Sequence, residues 1–179
     1  MVELERTEPE LKIKAVMGLD DELQTCVDSG SDFVNELLKK LAEHAGMCMA
    51  ISVEKTGEPD LLKPMAEVVG ICLRSLVDKN PKMKKVSGSM SSSGEASSTV
   101  SMKFSKNPFN PMQIKILGQQ WKSPKDFFND DLFIFFSGLS HGLEAEMDIT
   151  IVKSKNKQHT WESVSKATAG CFKDILKTG

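Results

Sequence analysis

The sequence predicts a single α+β domain: an antiparallel or mixed sheet packed by two or three helices, with an exposed N-terminal arm and a mobile Ser/Gly loop. Three observations carry this. The 179 residues suffice for one core and are short for two. Period-two stretches at both ends of the chain are interleaved with amphipathic helical stripes. Helices come early and hairpin-like strands late, an order that argues against a doubly wound parallel sheet.

Residues 1–10 hold Glu3, Glu5, Glu8 and Glu10 around Leu4 and read as an acidic flexible arm; residues 11–179 form the globular part. Leu11, Ile13, Ala15 and Met17 alternate with polar residues as a half-buried strand. Ser29 and Asp32 stand at capping-box spacing before a helix that buries Phe33, Val34, Leu37, Leu38 and Leu41 and ends near Gly46. Met47–Val53 is a second strand. Pro64 suits the first turn of another helix, striped by Met65, Val69, Cys72, Leu73 and Leu76. Residues 79–98 read as a flexible loop, too polar and small to pack.

Order returns at Val100–Phe104. Asn107–Pro111 is a stiff turn, Ile114 and Ile116 mark a strand, and Ser123–Phe128 is a short helical turn. Leu132–Phe136 reads as an apolar strand that turns through Ser137–Gly142 into the alternating strand Leu143–Ile151. A last helix buries Trp161, Val164, Thr168, Cys171, Phe172 and Ile175. No internal repeat is visible.

The net charge of −2 conceals an asymmetry. Residues 1–60 carry 6 Lys/Arg against 14 Asp/Glu, a net of −8, whereas residues 79–125 carry nine lysines and one acid. Such a division offers an acidic face to basic partners and a basic stretch to acidic ones. The cysteines Cys26, Cys48, Cys72 and Cys171 are widely spaced and fit free thiols in a reducing compartment. The first residues lack the basic and apolar regions of a secretory leader, and a soluble intracellular protein is expected.

Motifs for catalysis are weak. Gly138-Leu139-Ser140-His141-Gly142 has the spacing of a nucleophile elbow, but a strand, not a helix, is expected to follow it. His44, His141 and His159 lie on separate elements without metal-ligand spacing. Asp130 with Asp131, or Glu144 with Glu146, have the composition of an acid/base pair, but the alternation of Glu144 and Glu146 along a strand reads as a solvent face. No catalytic, metal or cofactor site is therefore expected, and the protein is read as a non-enzyme. Lys82, Lys84 and Lys85, with Met83 and Met90 beside them, are the candidate contact to an anionic partner. Lys103, Lys106, Lys122 and Lys125 could extend this patch. Glu3, Leu4, Glu5, Glu8 and Glu10 are the candidates for self-association with the basic stretch of another copy.

The element order and the strings Phe133-Ile134-Phe135-Phe136, Gly138–Gly142, Glu144–Ile151 and Trp161–Leu176 resemble the rhabdovirus matrix proteins, above all the compact ones of plant-infecting members. The resemblance implies a structural virion protein that self-associates into an oligomer or filament. It would condense the viral nucleoprotein–RNA complex and link it to the anionic inner leaflet of the envelope, in virion and host cytoplasm. The alternative reading is a small intracellular adaptor or a non-specific nucleic-acid-binding module that meets RNA through the same lysines.

Overall fold

The computed structural model describes residues 1–19, 24–57, 60–79, 82–105, 112–117 and 131–177. The fold is a single-domain α+β structure with two four-stranded mixed sheets and, among the described residues, four helices. Strands β1 (Val2–Glu8), β2 (Leu11–Gly18) and β3 (Cys26–Asp28) are followed by α1 (Asp32–Ala45), β4 (Cys48–Lys55) and α2 (Leu62–Asp78). The second half holds β5 (Val86–Ser93), β6 (Ala96–Phe104), β7 (Met112–Ile116), α3 (Asp131–Leu143), β8 (Ala145–Lys153) and α4 (Lys157–Leu176).

The two halves repeat one topology. The first sheet runs β1-β2-β4-β3 and the second β5-β6-β8-β7. In each, an antiparallel hairpin pairs with an antiparallel neighbour, and the short third strand closes the edge in parallel. The expectation of no internal repeat is corrected here, because the duplication lies in connectivity and not in side-chain identity. Helices α1 and α2 pack on the first sheet, α3 and α4 on the second. The helix layers then meet, α2 against α3 and α1 against α4, around one continuous apolar core.

Several elements differ from their sequence reading. Residues 2–8 are not a free arm but strand β1, paired along its length with β2. Val2 is buried and Leu4 half-buried, while Glu3 and Glu5 face solvent, a period of two that the charge run masks. Arg6 ties the strand to α2 through Glu67, at 2.6 Å. The Ser/Gly segment is likewise ordered as β5, hydrogen-bonded to β6 from Val86 opposite Lys103 to Ser93 opposite Ala96. Backbone pairing, which needs no large side chain, holds it. The N-cap of α1 is Ser31, not Ser29, whose hydroxyl instead bonds the Asn35 side chain at 2.7 Å. Gly46 closes α1 in the left-handed conformation, φ 68°, as read from the sequence. The turns placed at 107–111 and 123–128 lie outside the described residues.

The largest difference is at Leu132–Phe136, which is helical and opens α3. Five apolar residues in a row carry no usable period, and this helix is enclosed by its own sheet on one side and α2 on the other. Gly138 and Gly142 are consequently helix residues, not turn residues. A Cβ at Gly138 would stand 2.7 Å from the Lys63 carbonyl, one at Gly70 2.6 Å from that of Leu139, and one at Gly142 would collide with the Glu67 carbonyl. The three glycines let α2 and α3 touch backbone to backbone. Arg74 of α2 fastens the end of α3 by donating to the carbonyls of Leu143 and Glu144, both at 3.2 Å.

Gly142→Ala separates two opposing effects. Alanine is the better helix former by about 1 kcal/mol, whereas forced overpacking costs about 1–3 kcal/mol or more. With the collision falling on rigid backbone, sterics should win. The variant is expected to unfold at lower denaturant than the parent in urea titration; a stabilised variant would mean the helices separate freely.

Candidate functional site

The counterpart of the glycine seam, between α1 and α4, stays open. There a cavity of about 670 Å³ is lined by α1 residues Phe33, Glu36, Leu37, Lys40, Glu43 and His44. Helix α4 supplies Lys157, Gln158, Trp161, Glu162, Ser165 and Lys166, and Asp131 adds a carboxylate from the start of α3. The i, i+3, i+4, i+7 spacing on each helix sets these residues on one face. Large side chains hold the seam apart: Phe33 sits edge-on to Trp161 at 4.8 Å between centroids, and Trp161 is backed by Phe135 and Phe136 at 6.4 and 6.3 Å.

Glu162 is held in the cavity by three neighbours. Ser93, at the end of β5, donates to its Oε2 at 2.5 Å; Gln158 donates to Oε1 at 3.4 Å, and the Lys40 ammonium lies 3.9 Å away. The Ser93 hydrogen bond chiefly, with help from Gln158 and the charges of Lys40 and Lys166, holds the carboxyl below its ordinary value of 4.5, against partial burial. The cavity thus combines four carboxylates, three lysines and an aromatic wall, a mixture of charge and apolar surface that suits a small polar ligand. Among the described residues no group of three or more His, Cys, Asp or Glu is placed to hold a metal ion.

The residues singled out from sequence lie elsewhere. Lys82, Lys84 and Lys85 precede and adjoin β5, far along the chain from the cavity helices, and Lys84 is paired with Asp174 at 2.6 Å. Met83 is buried, so it cannot press on a surface, whereas Met90 is 72% exposed on β5. Glu3, Leu4, Glu5 and Glu8 are part of β1, and Glu10 follows it; Glu5 is paired within the chain with Lys12 and Lys14 at 3.1 and 3.5 Å. Ser140 is fully buried and donates to the Ala145 carbonyl at 2.9 Å. Cys72 and Cys171 are buried thiols, pushed by desolvation up to about 12 and about 11. Of the three histidines only His44 lines the cavity. Phe33, Leu37 and Trp161 were read as core positions, and Phe33 is instead 45% exposed at the cavity; the polar residues of α1 and α4 were missed because each looks like a solvated helix face.

A family model described as imidazoleglycerol-phosphate dehydratase matches residues 29–172, a range that includes every residue lining the cavity. Two solved structures are similar in fold. One is imidazoleglycerol-phosphate dehydratase of Staphylococcus aureus, with TM-score 0.78, 16% identity and 100% of each chain covered. The other is the Pyrococcus furiosus enzyme in complex with (S)-C348, with TM-score 0.73, 21% identity, 98% of this chain and 94% of that one. No curated protein sequence matches.

These findings correct the functional expectations. The family match overturns the resemblance to rhabdovirus matrix proteins and, with it, the structural virion role and the adaptor or nucleic-acid-binding alternative. The non-enzyme reading falls as well, since the family is one of dehydratases. The nucleoprotein–RNA and membrane partners and the virion location lose their basis, the neighbours being enzymes of cellular organisms. The misleading string was Phe133–Phe136, whose phenylalanines line the interior of a helix layer instead of a sheet.

The Ser93–Glu162 bond carries a pH signature. A carboxyl held low in the fold stabilises it above the ordinary value near 4.5 and loses that contribution as pH falls through the folded value. A hydrogen bond to a charged group contributes about 1.5–3 kcal/mol. Ser93→Ala should therefore lower Tm near neutral pH and converge with the parent in strong acid. A deficit of equal size at all pH values would locate the effect elsewhere.

Proposed function

Because the chain belongs to the imidazoleglycerol-phosphate dehydratase family, we propose that the α1–α4 cavity binds a small polyol phosphate bearing an imidazole ring and removes water from it. The observation that carries the reading is the cavity itself, whose lining lies wholly inside the matched range.

The chemistry follows from the lining. Lys40 and Lys166 supply cationic donors for the phosphate, Lys166 lying one turn beyond Glu162 on α4. Phe33 and Trp161 give the imidazole an apolar wall. Dehydration of a vicinal diol breaks a C–H bond on one carbon and a C–O bond on its neighbour. Proton and hydroxide leave as water, and the enol formed becomes a ketone. Glu162, ionised and fixed by Ser93, Gln158 and Lys40, is the proton acceptor this step needs. The residue that protonates the departing hydroxyl is drawn from the same lining, where His44 and Glu36 both stand on α1.

The test is turnover of imidazoleglycerol phosphate by the purified chain, read as ketone formation. Glu162→Gln should lower kcat at least about 100-fold with little change in KM, as loss of a general base does. Lys166→Met should instead raise KM by about 10-fold or more, the cost of one charged hydrogen bond. Neither binding nor turnover by the parent protein would sink the reading.

A further inference from the structure

A sheet edge carries a row of backbone N–H and C=O groups that another strand can take up, and proteins blunt their edges with charge, proline, bulges or short length. Among the described residues the two sheets have four edge strands, β1, β3, β5 and β7. Three are blunted. Strand β1 carries Glu3, Glu5, Arg6 and Glu8; β3 is 3 residues long and holds Asp28; β7 is 5 residues long and holds Lys115. Strand β5 is the exception. Val86-Ser87-Gly88-Ser89-Met90-Ser91-Ser92-Ser93 is 8 residues long, has no charge and no proline, and pairs with β6 in one unbroken register. Because the two halves repeat one topology, β1 and β5 hold the same place in their sheets, and the contrast between them lies in sequence alone.

The pairing pattern defines what this edge offers. The Phe104 N–H donates to the Lys85 carbonyl at 2.9 Å, one step beyond the Val86–Lys103 pair of the same register. In an antiparallel ladder such bonded pairs recur at every second residue, so Ser87, Ser89, Ser91 and Ser93 bond toward β6. Val86, Gly88, Met90 and Ser92 therefore turn both N–H and C=O away from the sheet. All four are exposed, Met90 at 72% and Val86 at 61%. Helix α4 packs beneath both β5 and β6.

We propose that β5 is a docking edge for a second copy of this chain, the two β5 strands pairing antiparallel about a two-fold axis at Ser89 and joining two four-stranded sheets into one. Self-complementarity singles out the second copy. About that axis Val86 falls opposite Ser92 of the second copy and Gly88 opposite its Met90, so the outward groups are mated in turn and no charge meets a like charge. The exposed Met90 side chain comes to lie over a residue that has none, and a Cβ at Gly88 would meet nothing nearer than 3.9 Å within its own chain. A contact of one strand per copy is small beside the roughly 800 Å² per partner of a standard interface, so the dimer is weak and depends on concentration. Ser93 closes the same strand and donates to Glu162, so the paired edge and the cavity carboxylate share one element.

The experiment is sedimentation equilibrium of the whole chain from about 1 μM to about 1 mM, with amide hydrogen exchange at both ends of that range. The parent should show a monomer–dimer equilibrium. Amides of Val86, Gly88, Met90 and Ser92 should exchange more slowly in the concentrated sample, and those of β1 should not change. Met90→Lys sets like charges diagonally across the axis and should weaken the dimer at least about tenfold, with Tm of the dilute protein unchanged. Gly88→Pro removes an outward N–H and no bond to β6, and should weaken the dimer to a similar degree. Thr150→Lys, on β8 and away from the edge, should leave association as it was. A parent that stays monomeric at the highest concentration would overturn the proposal, as would an assembly that Met90→Lys and Gly88→Pro both leave intact. Protection of the β5 amides only on addition of cell extract would give the edge to another protein and overturn the second copy as its occupant.

Discussion

The contact between α2 and α3 is the constraint from which the rest of the molecule follows. Each half of the chain is a sheet with one face covered by two helices, and neither half encloses its helices alone. Joining them requires the helix layers to meet, and the closest meeting is built on absent side chains: Gly70 of α2 against Gly138 and Gly142 of α3. Once the backbones touch there, the fully buried Phe135, Phe136, Leu139 and Leu143 are committed to the interior. Arg74 adds polar closure at one end of this seam by donating to the last carbonyls of α3.

The repeated topology sets a second seam in the related position, and there the residues are of the opposite kind. Phe33, Leu37 and Trp161 are large, and the polar residues beside them are long. Such side chains cannot interdigitate as closely as glycine backbones, so space remains. The charges then have a reason to be where they are. Lys40 of α1 and Glu162 of α4 meet across the seam as a loose ion pair at 3.9 Å, with side-chain exposures of 47% and 24%.

How much of this was legible depends on whether the signal was local. The strands at Leu11–Gly18, Cys48–Lys55 and Ala145–Lys153 have clean alternation, because one face of each is buried and the other is not. The helices α1, α2 and α4 are legible for the same reason at period 3.6. Leu132–Phe136 is not, since burial on all sides erases any period. Strand β5 fails differently: serine after serine gives no apolar rhythm, and its pairing with β6 is a backbone fact invisible in side-chain pattern. Strand β1 shows Val2 and Leu4 at period two, but four glutamates within ten residues outweigh two apolar ones in any charge-based reading. The cavity was least legible of all. Glu36 and Glu162 are far apart in sequence, and either one alone is an ordinary helix-surface acid.

The two seams also divide labour in energetic terms. A glycine-lined, fully packed contact maximises dispersion and leaves nothing for a ligand to gain. An open seam forgoes that packing, and the loss is visible in an unpartnered hydroxyl and a half-exposed phenylalanine. Natural proteins commonly concentrate such unsatisfied features where function needs them. The closed seam offsets this, because a single shared core lets stability gained between α2 and α3 support the cavity between α1 and α4. The glycines of the first seam are as much a condition for the cavity as the aromatic residues of the second.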